Sequence, residues 1–115
     1  MDGAQAEDQA LRFLQGQGLK LVARNVRARG GELDLVLARD RILVIVEVRA
    51  RAPSGYGSAE DSVTARKQRR VIQAARQFLA QHPEFSAHEV RFDVVALNGR
   101  QPPHWIRGAF EVADA

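Results

Sequence analysis

Gly30-Gly31-Glu32-Leu33-Asp34-Leu35-Val36-Leu37-Ala38-Arg39-Asp40-Arg41-Ile42-Leu43-Val44-Ile45-Val46-Glu47-Val48-Arg49-Ala50-Arg51 is the stretch on which the fold turns. Two runs of aliphatic, largely β-branched residues flank a polar Asp40-Arg41 pair, a pattern that predicts a β-hairpin. Side chains alternate faces along a strand, so Glu32, Asp34, Val36 and Ala38 are expected on one face of the first strand and Leu33, Leu35 and Leu37 on the other. On the second strand Leu43, Ile45, Glu47 and Arg49 share a face, and Val44, Val46 and Val48 take the reverse. A two-residue turn at Asp40-Arg41 pairs Arg39 with Ile42, which sets Asp34 opposite Glu47 and Glu32 opposite Arg49. Asp-Arg suits a type I′ turn poorly, because neither residue takes positive φ easily, yet any even-length loop leaves both carboxylates on one face. Like charges directly opposite destabilise a sheet. Among residues this apolar, a bound divalent cation would explain the pair. Spacing alone is equally compatible with a solvated face carrying a Glu32–Arg49 pair and two unrelated acids.

Composition narrows the class. The chain has 115 residues, 45% of them hydrophobic and 27% charged. That is the composition of an ordinary soluble globule, and a single domain spanning residues 1–115 is long enough to bury a real core. No apolar run approaches a membrane span, and Met1-Asp2-Gly3-Ala4-Gln5 has neither the basic region nor the apolar core of a secretory leader. With no cysteine, thiolate-metal and disulfide chemistry are excluded, and a reducing cytoplasm is expected. His82, His88 and His104 lack ligand-type spacing, so a metal here should be a hard cation held by oxygen. The formal net charge is +3, but Arg24 to Arg76 hold 12 basic and 6 acidic residues, leaving the two ends together acidic. A basic centre suggests a polyanionic partner. The competing explanation is compositional bias, since Lys20 and Lys67 are the only lysines beside 15 arginines.

Outward from the hairpin, Ala4 to Gln17 is expected to be a helix stopped by Gly16 and Gly18. Ala6, Ala10, Leu11, Phe13 and Leu14 form its apolar stripe, and Glu7 falls on the same stripe. Leu19 to Asn25 is expected as a short strand with Leu19, Leu21 and Ala23 inward, followed by a basic turn of Arg27, Arg29 and Gly30-Gly31. After Arg51, Ala-Pro-Ser-Gly-Tyr-Gly-Ser has loop composition, and its Ser54, Tyr56 and Ser58 are either plain loop residues or contacts to phosphate and sugar. A second helix is predicted from about Thr64 to Gln81, capped by Ser62 or Thr64 and ended before Pro83. Val63, Val71, Ala74, Ala75 and Phe78 mark its apolar arc, widened by Ile72 and Leu79. Arg66, Arg69, Arg70 and Arg76 share the opposite face with Gln73 and Gln77. Lys67 sits inside the apolar arc, either snorkelling along the sheet edge or reaching the hairpin carboxylates. Val90 to Leu97 is a strand closed by Asn98-Gly99, and Trp105-Ile106 begins a short last one. A strand–helix–strand connection of this length favours a crossover to a parallel strand. The expected order is α-β-β-β-α-β, with that last strand appended, in a mixed α/β sheet with a helix on each side.

Several of these residues together resemble the YraN-like family of small bacterial proteins (UPF0102), which are similar to the restriction-endonuclease-like PD-(D/E)XK superfamily. The resemblance rests on Glu7 and Ala10 of the first helix, Arg24-Asn25, Gly31-Glu32-Leu33-Asp34-Leu35, Val46-Glu47-Val48-Arg49 with Arg51, Gly57, Lys67, and Arg91-Phe92-Asp93-Val94-Val95. It covers nearly the whole chain, and the separation of Gly-Glu-x-Asp-Leu from Glu-Val-x-x-Arg is its specific part. The resemblance implies a restriction-endonuclease-like core. It also implies Mg²⁺ (or Mn²⁺) held by Asp34 and Glu47, with Glu7 as an extra acid. The implied activity is hydrolysis of phosphodiester bonds in a structured nucleic acid, as by a Holliday-junction resolvase or a relative, with DNA favoured over RNA. The superfamily carries a lysine two residues after the Glu, and Arg49 stands there. Arginine holds phosphate in a planar fork but does not replace lysine freely, so Lys67 is the candidate to take over. Arg27, Arg29, Arg51, Arg66, Arg69 and Arg70 are the candidate nucleic-acid contacts. A homodimer would let so small a nuclease cut two strands at once. The alternative is a nucleic-acid- or protein-binding module whose catalytic site has lapsed.

Overall fold

The computed structural model describes residues 2–50, 63–98 and 102–112. Helix α1 (Gly3–Gly16) leads into strands β1 (Lys20–Ala28), β2 (Gly31–Arg39) and β3 (Ile42–Ala50). Helix α2 (Ala65–Gln81) and a 3-10 turn (Pro83–Phe85) precede β4 (Glu89–Leu97) and β5 (His104–Phe110). The five strands lie in sequence order in one mixed sheet. β3 and β4 are parallel, and the other neighbours are antiparallel. Arg51, Gly57, the Ser54/Tyr56/Ser58 loop and the alternative cap Ser62 lie outside the described residues.

Local chemistry accounts for the element ends. Asp2 caps α1 by accepting from the Gln5 N–H at 2.8 Å, while the Gln5 side chain returns to the Asp2 N–H in a capping box. At the other end Gly18, at φ +95°, donates to the Gln15 carbonyl and Leu19 donates to that of Leu14, a Schellman closure. Thr64 caps α2 by accepting from the Lys67 N–H at 3.2 Å.

Each helix covers one face of the sheet. Val71, Ala74, Ala75 and Phe78 of α2 pack with Val36, Leu43, Ile45, Phe92 and Val94. Ala6, Ala10, Leu11 and Leu14 of α1 pack with Leu35, Leu37, Val44, Val46 and Val95. Phe13, expected fully on the α1 stripe, is half-buried at its edge, with Trp105 edge-on at 6.1 Å between ring centres.

Three local expectations are corrected. β1 runs on to Ala28 and takes in Arg27, because Ala28 and Arg27 pair with Gly31 and Glu32, leaving Arg29-Gly30 as the turn. A register shift between Leu21 and Ala23 breaks the alternation of β1, so Leu21 is exposed although expected inward. Leu33 packs on the α2 side rather than with Leu35 and Leu37. At the same level β1 is irregular as well, since Asn25, across from Asp34, takes φ +53°.

The β1–β2 turn packs hard against α2. The Arg29 N–H donates to Gln77 Oε1 at 2.7 Å, so Gln77 serves the turn and not only the solvated face. A Cβ on Gly31 would run into the Arg70 backbone carbonyl, which a flexible side chain cannot relieve. Gly31→Ala is therefore expected to cost about 1–3 kcal/mol through forced separation of turn and helix. Gly16→Ala, with nothing within 4 Å of its Cβ, should stay neutral or stabilise slightly. Denaturant midpoints of the two variants decide it, and equal midpoints would mean that the contact gives way freely.

Candidate active site

The β2–β3 ladder runs from Arg39 and Ile42 at the turn to Leu35 and Val46. Asp40 makes the two-residue turn possible by adopting φ +54°, which Asp tolerates better than most residues. Beyond Leu35 and Val46 the backbone pairing stops, and the next two positions in register are Asp34 and Glu47. Carboxylates take over there. The Val48 N–H donates to Asp34 Oδ2 at 2.9 Å, and the Asp34 N–H points at Glu47 Oε2 at a long 3.5 Å. The Glu32–Arg49 pair does not form among the described residues, and Glu32 faces Arg27 of β1 instead.

Glu47 is the unusual residue. Its side chain is 0% exposed, and Oε1 has no hydrogen-bond partner. The nearest charge is Lys67 Nζ, 3.6 Å away, reaching in from the first turn of α2. Burial, and then the facing Asp34, push the Glu47 carboxyl up to about 8, against the opposing pull of Lys67 and, less strongly, Arg49. Asp34 is also raised, again by burial first, and restrained by the Val48 N–H and by Lys67 ahead of Arg49. A buried carboxylate oxygen with a single cation at 3.6 Å and no hydrogen bond, beside a second acid, is an arrangement that a further cation would complete.

The remaining candidates fall at different distances from this pair. Glu7 reaches toward the site from α1, where burial and the Asp34 charge raise its carboxyl while Asn25 and Arg24 pull it down. Its nearest ion-pair partner is Arg24 at 3.5 Å, which also holds Asp8 at 2.9 Å. Among the described residues no three His, Cys, Asp or Glu side chains converge as a ready cage. The residues present fit a cation of the Mg²⁺ kind, which takes one or two carboxylates and completes its shell from water and substrate phosphate. Arg49 lies near enough for its charge to be felt by both acids but within ion-pair distance of neither, and its buried Nε has no partner. Lys67 thus holds the position closest to the carboxylates. Arg27, Lys67 and Arg70 line a cleft of about 480 Å³ beside the site, together with Gly30, Gly31 and Glu32. Arg29, Arg66 and Arg69 are exposed and lie outside that lining.

The family model described as uncharacterised protein family UPF0102 matches residues 6–97. The chain belongs to the UPF0102 family. A UPF0102 protein of Pseudomonas putida is 51% identical over 113 residues, covering 95% of this chain and 92% of its own. One from Halorhodospira halophila is 48% identical over 108 residues, covering 94% and 85%. The match takes in Glu7, Asp34, Glu47, Arg49, Lys67 and Asp93 of this UPF0102 chain. No helix among the described residues is long and apolar enough to cross a membrane.

Asp93 had no assigned role in the sequence and turns out to be a buried hub. It is 0% exposed and accepts four bonds: Arg91 Nε and Nη2 at 2.8 Å each, Trp105 Nε1 at 2.9 Å and the Gly108 N–H at 2.9 Å. The register of β4 and β5 shifts between Phe92 and Val94, and Gly108 takes φ +61° across from Asp93. The carboxylate therefore fastens an irregular edge strand. All four partners are donors, so Asn, with one acceptor oxygen, cannot replace it. Asp93→Asn is expected to lower stability by about 3 kcal/mol, the cost of stranding a partly buried arginine. Asp8→Asn, on an exposed carboxylate, should stay within about 0.5 kcal/mol. Denaturant unfolding followed by Trp105 fluorescence measures both, and equal losses would refute the hub.

Proposed function

We propose that this UPF0102 protein has a restriction-endonuclease-like core and hydrolyses phosphodiester bonds of nucleic acid with Mg²⁺ or Mn²⁺. The observation that carries the reading is the Asp34–Glu47 pair where the ladder opens, with a buried Glu47 Oε1 that, among the described residues, accepts no hydrogen bond and has only the Lys67 Nζ charge 3.6 Å away. Asp34 and Glu47 would hold the cation, which when bound polarises a phosphate oxygen and acidifies its water. The chain's own residues do the rest. The Val48 N–H fixes the Asp34 carboxylate, and the burial of Glu47 keeps bulk water from screening the charges. Lys67 supplies the positive charge that offsets the one building on the scissile group. Glu7, tied to Arg24 and within reach of the Asp34 charge, would add a third acid to the field of the site.

The second reading is a nucleic-acid-binding module without turnover. Arg49 at the superfamily's lysine position, its Nε unpartnered, is the observation that favours it. A cleavage screen with Mg²⁺ and with Mn²⁺ over linear, flapped and four-way-junction DNA and RNA separates the two. Cleavage that disappears in Asp34→Asn supports the nuclease. Binding without cleavage on any substrate leaves the module, and cleavage that survives Asp34→Asn would come from a contaminant.

A further inference from the structure

The cleft beside the carboxylates has a chemistry of its own. Arg27 enters from β1, Lys67 and Arg70 from α2, and the side-chain-free backbone of Gly30 and Gly31 forms the wall between them. Among the described residues, three cations thus meet in a space of about 480 Å³ against one acid, Glu32, with Ala28 as the aliphatic side chain of the lining. Arg27 pairs across strands with Glu32 in register, yet no ion pair within 4 Å forms between them, and Arg70 likewise has none among the described residues. Like charges gathered on separate elements repel unless an anion joins them. The close approach of Gly31 to the Arg70 carbonyl is what brings these cations together, so the arrangement is built into the packing of turn against helix.

The lining also excludes some ligands. Among the described residues the lining contains no aromatic ring on which a base could stack, and no Asn or Gln, the usual partners of adenine edges. Arginine forks match phosphate oxygens, and the three cations of the lining outweigh the charge of Glu32. Lys67 belongs to the cleft and to the carboxylate site at once, so a phosphate in the cleft is a neighbour of whatever group sits at Asp34 and Glu47.

We infer that Arg27 and Arg70 form a subsite for a backbone phosphate next to the scissile one, so that the protein grips nucleic acid by its sugar–phosphate chain irrespective of base sequence. The position of this subsite rests on the reading of Asp34 and Glu47 as the reactive centre, whereas its ligand chemistry does not. The test is equilibrium binding by the full chain in EDTA, where no hydrolysis intervenes, to labelled 20-mer oligonucleotides of homopolymeric and mixed sequence between 50 and 200 mM salt. Affinity should vary little with sequence. The double variant Arg27→Ala with Arg70→Ala should bind at least about 10-fold more weakly at 50 mM salt. It should also lose about 0.7 of log–log salt slope for each phosphate contact removed on a single strand. Arg27→Lys with Arg70→Lys should keep the slope, since the slope counts charges. Arg39→Ala with Arg41→Ala, at the hairpin tip and roughly 30 Å of strand away, removes the same two charges and should keep it too, and the single Arg41→Ala likewise. An unaltered slope in Arg27→Ala with Arg70→Ala, a slope lost equally in the hairpin-tip variants, or strong preference for one base sequence would overturn the subsite. Arginine-dependent binding with no cleavage of any substrate would sink the nuclease reading alone.

Discussion

Glu47→Gln is expected to lower any Mg²⁺-dependent cleavage by about 10³-fold or more and, in metal-free buffer, to make the protein more stable at pH 8. The loss follows from removing one of two carboxylates able to hold a cation that contributes several kcal/mol to transition-state stabilisation. The gain in stability follows from burial. In the unfolded chain Glu47 ionises near its ordinary 4.5, whereas the folded environment pushes it up to about 8. Below about 4.5 the group is protonated in both states and contributes nothing. Between about 4.5 and 8 the unfolded chain has released a proton that the folded chain still holds, so stability falls as pH rises. Above about 8 the full cost is present. Gln keeps the shape and carries no charge, so its advantage over wild type should be small at pH 5 and grow to a few kcal/mol at pH 8. Added Mg²⁺ should stabilise wild type increasingly over the same range, because it displaces that proton, and should leave Glu47→Gln almost unmoved. Denaturant melts of both proteins at three pH values, with EDTA and with Mg²⁺, test all of this. A stability difference that does not widen with pH would mean that Glu47 is not held in the environment described.

Much of this site was legible before any coordinates. A two-residue polar break suggested the register in which Asp34 meets Glu47 by counting, and any even-length loop would have kept both on one face. Helical periodicity likewise put Lys67 on the inner arc of α2. The choice between snorkelling and reaching the acids was not legible, because it depends on where α2 crosses the sheet. That crossing is set by Gly31 meeting the Arg70 backbone and Gln77 bonding to the turn, contacts between segments some forty residues or more apart in the chain. The inversion of Leu33 was hidden for a related reason. It accompanies a positive φ at Asn25, on a different strand, which no local pattern announces. Asp93 stood in plain view between apolar neighbours, but its four donors come from β4 and from an irregular stretch of β5 whose register shift cannot be counted from sequence.

Lys67→Ala is expected to slow cleavage by about 10²-fold, the usual cost of losing one electrostatic stabiliser of the transition state, while Arg49→Lys changes the rate little. Two features of the geometry favour Lys67. Its Nζ lies 3.6 Å from Glu47 Oε1, whereas Arg49 makes no ion pair with either acid. Its charge also weighs more than that of Arg49 on both Asp34 and Glu47. Helix geometry supports the assignment, since the Thr64 cap fixes the first turn of α2 and with it the root of the Lys67 side chain. Thr64→Ala should therefore cost activity as well as about 1 kcal/mol of stability, by loosening that root. Lysine is a compact charge on a flexible stem that can follow a phosphate as its geometry changes; the planar fork of Arg49 is held with Nε buried. If Arg49 instead marks a lapsed lysine, wild type should be nearly inactive and Arg49→Lys should raise the rate. Single-turnover cleavage with Mg²⁺, at saturating enzyme and with the fold of each variant checked by its melting curve, distinguishes these outcomes. A Lys67→Ala rate within about 3-fold of wild type would remove Lys67 from the chemistry and leave its contact with Glu47 as a structural neutralisation of a buried acid.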